Sequence, residues 1–329
     1  MVSIARIKPF ILPAAIVLGL LLHDLCALCG GIVPYLVFTL LLLTFSSTEL
    51  RRLRFERIDL WLMLAQTVVA VALFLGFRIA TGNITLAQGM MLGGLCPVAG
   101  SVTVVAVALG AKREYTVAYT IVGNLLVCVL APVMFTFVGN TDGMSGTDAF
   151  FAIFGRIASV IGLPFFVMLC LQLWAKPVAD KLKKHSGLAF YIWALALLLT
   201  LGQTIDFIFL HGRGNWPTVI ALGIGAAAVC VVQLAAGRAI GRRCGDAVAG
   251  QQLLFQKNSA MGIWMANTYL NPLASSFLAF YSIWQNLINS YQIWRRGRRS
   301  QAFSESSSQR ISLSSSNSLT SARRLDRES

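Results

Sequence analysis

The feature that most constrains this chain is a succession of apolar runs, each close to the thickness of a bilayer's hydrocarbon core. A helix needs about 20 mainly apolar residues to cross that core. Ten runs approach or reach that length, at roughly 9–23, 27–47, 59–80, 86–110, 115–138, 149–173, 188–210, 216–237, 247–269 and 272–294. They take up most of a chain of 329 residues, of which 57% are hydrophobic and only 12% charged. A soluble domain carries about 25% charged residues. A soluble enzyme, a disordered regulator and a secreted disulfide scaffold are therefore excluded. Five of the seven cysteines lie in or beside apolar runs. With no zinc-type Cys/His cluster in the sequence, they read as membrane-core residues. Cys26 and Cys29 form a C-x-x-C at a helix junction, without the context of a redox fold. The first run starts after Arg6 and Lys8 but flows into the second, with no small-x-small cleavage site between. It reads as a retained helix.

The net charge of +14 is distributed by joint. Bases collect after every second run: Arg51, Arg52, Arg54 and Arg57; Lys112 and Arg113; Lys176, Lys181, Lys183 and Lys184; Arg238, Arg242 and Arg243; then Arg295, Arg296, Arg298 and Arg299. The other joints hold Arg78 and Arg213. Short basic loops stay cytoplasmic. The expectation is a multi-pass protein of the cell (inner) membrane with both termini in the cytoplasm. The charge then orients the chain among its lipid partners and is no nucleic-acid footprint. The serine-rich, arginine-dotted tail is too polar to bury a core. Residues 300–329 are expected to be a disordered cytoplasmic tail.

The polar loop 139–147 (GNTDGMSGT) leaves five runs on either side. An odd number per half forces opposite orientations, the layout of an inverted-repeat transporter. The predicted fold is all-α: an integral membrane protein of ten transmembrane helices, built as two inverted five-helix repeats over 1–140 and 148–295. The fourth run of each half is interrupted, so helices four and nine are predicted to be broken and to cross. In the first, Pro97 stands among Gly93, Gly94 and Gly100. It has no N–H to donate and its ring crowds the carbonyl four residues back. In the second, Gln256-Lys257-Asn258-Ser259 places a charge about ten residues, or about 15 Å, deep. An ionised side chain there costs about 2.5–3.5 kcal/mol on insertion scales. With no deep carboxylate to pair it, Lys257 must face a polar cavity, lose its proton or neutralise an anion. The bland readings are a packing kink at Pro97 and a lysine bonded to broken-helix carbonyls.

Thr116, Thr120 and Asn124 recur every four residues and share one helix face. They suit either helix–helix hydrogen bonding or the oxygen lining of an ion path. Gln66 and Thr103 join them as candidates. Ser282, Gln285, Asn286 and Asn289 in the last run read as helix–helix contacts. The binding set predicted from the residues is thus Gln66, Pro97, Thr103, Thr116, Thr120, Asn124, Gln256, Lys257, Asn258 and Ser259.

At these residues the chain resembles the bile acid–sodium symporter family. Pro97 to Thr103 stands where that family has a proline-glycine-glycine crossing that ends in serine-asparagine. Thr116, Thr120 and the segment 125–132 follow at its spacing. Lys257-Asn258-Ser259 resembles its glutamine-asparagine crossing, and Ser282-Ile283-Trp284-Gln285-Asn286 resembles its tenth-helix pattern. The resemblance covers about 10–295 in layout, at the level of motifs. It implies a core of helices three to five and eight to ten, a panel formed by the rest, and substrate held between them. It implies sodium-coupled uptake of an organic anion, with Gln66, Thr116, Thr120 and Asn258 at cation-site positions and no other cofactor. Three departures bear on this. The family's ninth-helix glutamate falls on Leu253, its glutamine on Lys257, and its fourth-helix serine-asparagine on Val102-Thr103. A carboxylate that would neutralise sodium is gone and a cation stands nearby. The Lys257 ammonium is expected to fill part of the cation site or to titrate during transport.

The leading expectation is a secondary active transporter of a small organic anion, coupled to sodium or protons. Two alternatives stand beside it: an arsenite-type efflux permease using Cys96, and a non-transporting membrane sensor. An enzyme is not expected, because the runs hold no Ser-His-Asp pattern, metalloprotease motif or paired catalytic carboxylates. His23, His185 and His211 all fall at run ends.

Overall fold

A computed structural model describes Ala14, Leu50, Arg298 and residues 17–48, 55–100, 102–139, 143–211 and 214–296. Most of the first run, the 51–54 arginines, Asp142 and the 300–329 tail lie outside the described residues. The chain divides into two compact units, Met1–Asn286 and Leu287–Ser329.

The first unit is all-α. Its helices in order are α1 (His23–Leu28), α2 (Val33–Ser46), α3 (Arg57–Thr81), α4 (Ile84–Leu95), α5 (Val102–Ala108), α6 (Arg113–Val138) and α7 (Gly146–Ile157). There follow α8 (Leu163–Trp174), α9 (Lys176–Lys184), α10 (Leu188–His211), α11 (Trp216–Arg243), α12 (Ala247–Phe255) and α13 (Ser259–Tyr269). A last helix occupies 276–286 of this unit. A wider π turn, Ala158–Gly162, joins α7 to α8, and 3₁₀ turns precede α2 and follow α13. In the second unit, 287–296 is helical and the Arg298 guanidinium lies 4.8 Å from the Trp294 ring centre.

The ten-helix expectation is corrected here. Among the described residues, five helices are long and apolar enough to cross a membrane: Arg57–Thr81, Tyr115–Val138, Gly146–Trp174, Leu188–Leu210 and Trp216–Arg243. Two inverted five-helix repeats do not follow from five spans. The reason is helical continuity. The run 86–110 becomes a 12-residue α4 and a 7-residue α5. The run 247–269 becomes a 9-residue α12 and an 11-residue α13. The run 27–47 yields a 3₁₀ turn and a 14-residue α2. Counting apolar residues overcounts the spans wherever proline, glycine or a charge ends the helix.

The outer faces are apolar. On α3, Leu64, Val68, Leu75 and Ile79 are exposed, and so are Ile220, Ile224 and Val231 on α11. Apolar stripes of this extent are out of place in water. Several long apolar helices with lipid-ready faces are the build of a multi-span membrane protein. The short helices α4, α12 and α13 are packed inside. Every residue of α4 from Thr85 to Leu95 is buried. Close approach brings them there. A Cβ on Gly94 would lie closer than 3 Å to the backbone of Ala70 on α3. Gly237 and Gly241 of α11 meet Gly250 of α12 in the same way. Small residues let backbones approach where lipid supplies no hydrophobic drive between helices.

The helix ends are coded locally. Asn83 caps α4 by accepting the Leu86 N–H, and Asp246 caps α12 by accepting those of Val248 and Ala249. Asn258 caps α13, its Oδ1 accepting the Met261 N–H at 3.3 Å.

Candidate functional site

The centre of the first unit is the place where two interrupted helices meet. Helix α4 stops at Leu95 because Pro97 follows. The residue before a proline is driven from helical to extended geometry, and Cys96 has φ −59° and ψ 137°. Helix α12 stops at Phe255, and the chain runs through Gln256 and Lys257 before Asn258 restarts a helix. The two short extended stretches pair antiparallel, Val98 opposite Lys257. The Ala99 N–H donates to the Gln256 carbonyl at 3.1 Å, and the Asn258 N–H to the Pro97 carbonyl at 2.7 Å. Each break thus satisfies backbone groups that the other would leave bare in an apolar interior, where an unpaired group is costly.

Side chains complete the joint. Gln285 clamps the Lys257 backbone: its Oε1 accepts the Lys257 N–H at 2.6 Å and its Nε2 lies 3.3 Å from the Lys257 carbonyl. Gln233 of α11 donates to the Gly93 carbonyl near the end of α4. The Tyr281 hydroxyl donates to the Phe255 carbonyl at 2.7 Å, at the end of α12. The Cys96 thiol donates to the Asn258 carbonyl at 3.2 Å and the residue is fully buried. This is a structural engagement and leaves no free thiol facing a path.

Lys257 is 2% exposed. Its Nζ has one hydrogen-bond acceptor among the described residues, the Gly94 carbonyl, at 3.5 Å. That carbonyl belongs to the last turn of α4, the negative end of a helix dipole, where a cation is favoured. One long contact is a thin return for burying an ammonium, whose effective penalty is several kcal/mol.

The other predicted residues fall in two places. Pro97, Gln256, Lys257 and Asn258 form the pairing itself, and Ser259 opens α13 directly after it. Asn124 borders it, with Nδ2 3.5 Å from the Val98 carbonyl. Thr116 and Thr120 lie buried along α6, their hydroxyls donating to the carbonyls of Arg113 and Thr116. Thr103 Oγ1 stands 3.5 Å from Thr120 Oγ1. Gln66 is buried on α3 and accepts from the Tyr119 hydroxyl at 2.8 Å. None of the hydrogen bonds of Gln66, Thr116 or Thr120 reaches Asn258. Asn124 Oδ1, buried without a donor, is an oxygen suited to a hard cation. Gln66 Nε2 and Asn258 Nδ2, also without partners, are donors and are not.

Beyond the pairing lies a cavity of about 430 Å³. Helix α13 leads to it. Trp264, Asn267 and Thr268 line the wall, spaced so that they share one helix face, about 9–15 Å along the axis from Asn258. Arg156 near the end of α7 and Gln203 and Asp206 of α10 also line it. His23 Nδ1 lies 2.9 Å from Asp206 and 3.2 Å from Asp24. One ligand atom from each of these three residues lies within 4.8 Å of the others, close enough to share a metal ion. Asp24 is exposed, however, and His23 Nδ1 already spans both carboxylates.

Sequence reasoning missed the clamp at Gln285, the caps from Gln233 and Tyr281, and the His23–Asp206 pair. A lone glutamine amid the apolar residues of α11 was the available signal for Gln233. The His23–Asp206 contact joins residues 183 positions apart and has no local signal. No known family's sequence pattern matches the chain, and no curated protein matches it.

Proposed function

We propose that the chain is a secondary carrier that moves a small organic anion across a membrane, driven by a sodium or proton gradient. One observation carries the reading: a lysine is buried at a paired break of two helices, inside a protein with membrane-type outer faces, its ammonium having one hydrogen-bond acceptor among the described residues, at 3.5 Å. Intramembrane charge is expensive and marks ion or substrate paths. Broken helices likewise mark such paths, because unwound backbone at membrane depth is tolerated where it serves a cavity. The resemblance to bile acid–sodium symporters in the Pro97 and Lys257 segments points the same way. So does the alternation of basic joints, which on this reading puts both termini in the cytoplasm.

In this mechanism the pairing acts as the fixed joint. Gln285 and the two interbreak hydrogen bonds hold the Lys257 backbone while its ammonium presents positive charge at the end of α4. Helix α13, capped at the joint by Asn258, carries any shift there to the cavity wall at Trp264 and Thr268. Cargo in the cavity and charge at the joint are thereby linked through one rigid helix.

The test is uptake of labelled carboxylates and sulfonates into liposomes holding the purified protein, under separate sodium and proton gradients. Gradient-driven uptake is expected in the parent protein and at least about a tenfold loss in Lys257→Met. Full coupled transport by Lys257→Met would overturn the role given to the lysine. No flux under either gradient would overturn the carrier.

A further inference from the structure

The 430 Å³ cavity is lined by side chains of opposite charge. Arg156 supplies a guanidinium that stays protonated and presents five donors. The residue is exposed, and among the described residues its guanidinium has no hydrogen-bond or ion-pair partner. Its planar fork matches a carboxylate or sulfonate. Asp206 supplies the opposite charge. One of its oxygens faces His23 Nδ1 at 2.9 Å, and its other oxygen has no donor among the described residues. Asn267 also lines the wall, but its Oδ1 is sealed from solvent. The remaining polar walls are engaged. Gln203 Nε2 donates to the Cys26 carbonyl at 3.3 Å and the Thr268 hydroxyl to the Trp264 carbonyl at 2.7 Å. The vacant capacity is thus a fork of donors on Arg156 and an acceptor on Asp206, with Trp264 on the same wall.

We propose that this cavity is the cargo site and that its ligand is a small zwitterion, a carboxylate or sulfonate that also bears an ammonium. The proposal rests on the carrier reading and narrows its cargo. The acid group sits on Arg156. The ammonium donates to Asp206, with the Trp264 ring as a cation–π wall. A simple anion satisfies Arg156 but meets the Asp206 carboxylate with like charge. A simple amine does the reverse. Leaving one of two opposite charges without its counter-charge is what lets such a site disfavour the near-analogue. A cavity of this volume lies in the range that small ligands occupy.

The test uses the full chain and five probes of similar length: β-alanine and taurine as zwitterions, propanoate and ethanesulfonate as plain anions, and propylamine as a plain cation. Ligand-induced thermal stabilisation in detergent reads binding, and liposome uptake reads flux. The two zwitterions are expected to bind at least about tenfold more tightly than the other three. Arg156→Gln should remove that binding, and Asp206→Asn should bring β-alanine down to the level of propanoate. Should Asp206→Asn misfold, the preference of the parent protein decides alone. Equal binding of β-alanine and propanoate, or no binding of any probe, overturns the assignment. Flux of propanoate with none of β-alanine overturns it and upholds the carrier. Zwitterion binding without flux upholds the ligand class and overturns the carrier.

Discussion

Replacing Gln285 by leucine isolates the clamp on Lys257. The side chains are close in volume, so the cavity cost is small and the change is mainly the loss of polar atoms. The Lys257 carbonyl loses Gln285 Nε2 at 3.3 Å but keeps the Ser259 N–H at 3.1 Å, so it stays satisfied. The Lys257 N–H loses Gln285 Oε1 at 2.6 Å and has no replacement. One buried donor is orphaned, at a cost of about 1–3 kcal/mol. Because 1.4 kcal/mol is a factor of ten, opening of the joint should rise by about 5–150-fold. Hydrogen exchange of the Lys257 amide reads this directly, since protection reports the free energy of local opening. Gln285→Glu keeps an accepting oxygen in place and should hold the amide protected. Unchanged protection in Gln285→Leu would refute the clamp, and with it the picture of Lys257 as a fixed joint.

Three further outcomes follow from the packing. Lys257→Met removes a buried ammonium with a single long contact and should leave unfolding stability equal or up to about 4 kcal/mol higher while transport falls; a clear loss of stability in detergent unfolding would show the ammonium to be structural. Gly250→Ala drives a methyl into the backbone of α11 and should cost about 1–3 kcal/mol. In the same thermal-unfolding assay Gly76→Ala, with nothing within 4 Å of the added carbon, should be neutral or stabilising by up to about 1 kcal/mol. Asp246→Ala loses the cap of α12 and the bond from the Lys112 N–H at 2.6 Å, together roughly 2–4 kcal/mol. Asp246→Asn should recover most of that in the same chemical unfolding series.

What the sequence discloses here is local. Pro97 among glycines marks a point where a helix cannot run on, and α4 ends two residues before it. A lysine amid apolar residues marks another, and α12 ends two residues before Lys257. The Asn83, Asp246 and Asn258 caps are likewise written at the positions they cap. The pairing of the two breaks is not local. It depends on Ala99 and Gln256 meeting across the fold, and no periodicity reports that. The span count failed for the complementary reason: hydropathy counts apolar residues, and a run such as 86–110 keeps its count when its helix is cut. The threonine stripe shows a third limit. Thr116 and Thr120 do share a face of α6, but their hydroxyls turn back to their own helix, a choice that spacing cannot reveal. Arg156 and Asp206 were each visible as charges near run ends. That they line one cavity depends on where the fold brings α7 and α10.

The pairing of the breaks also sets a timetable for biogenesis. Cys96 and the Asn258 carbonyl it binds are 162 positions apart. At synthesis rates of about 5–20 residues per second, the first break exists for roughly 8–32 s before its partner leaves the ribosome. During that interval the Pro97 carbonyl and the Ala99 N–H have no rung to join, and α5, with seven residues, is too short to hold itself as a helix. The Lys257 end arrives later and closes the joint, and its Gln285 clamp follows 28 residues on. The joint is therefore among the late parts of the first unit to form, and the nascent chain must shelter an open backbone until it does.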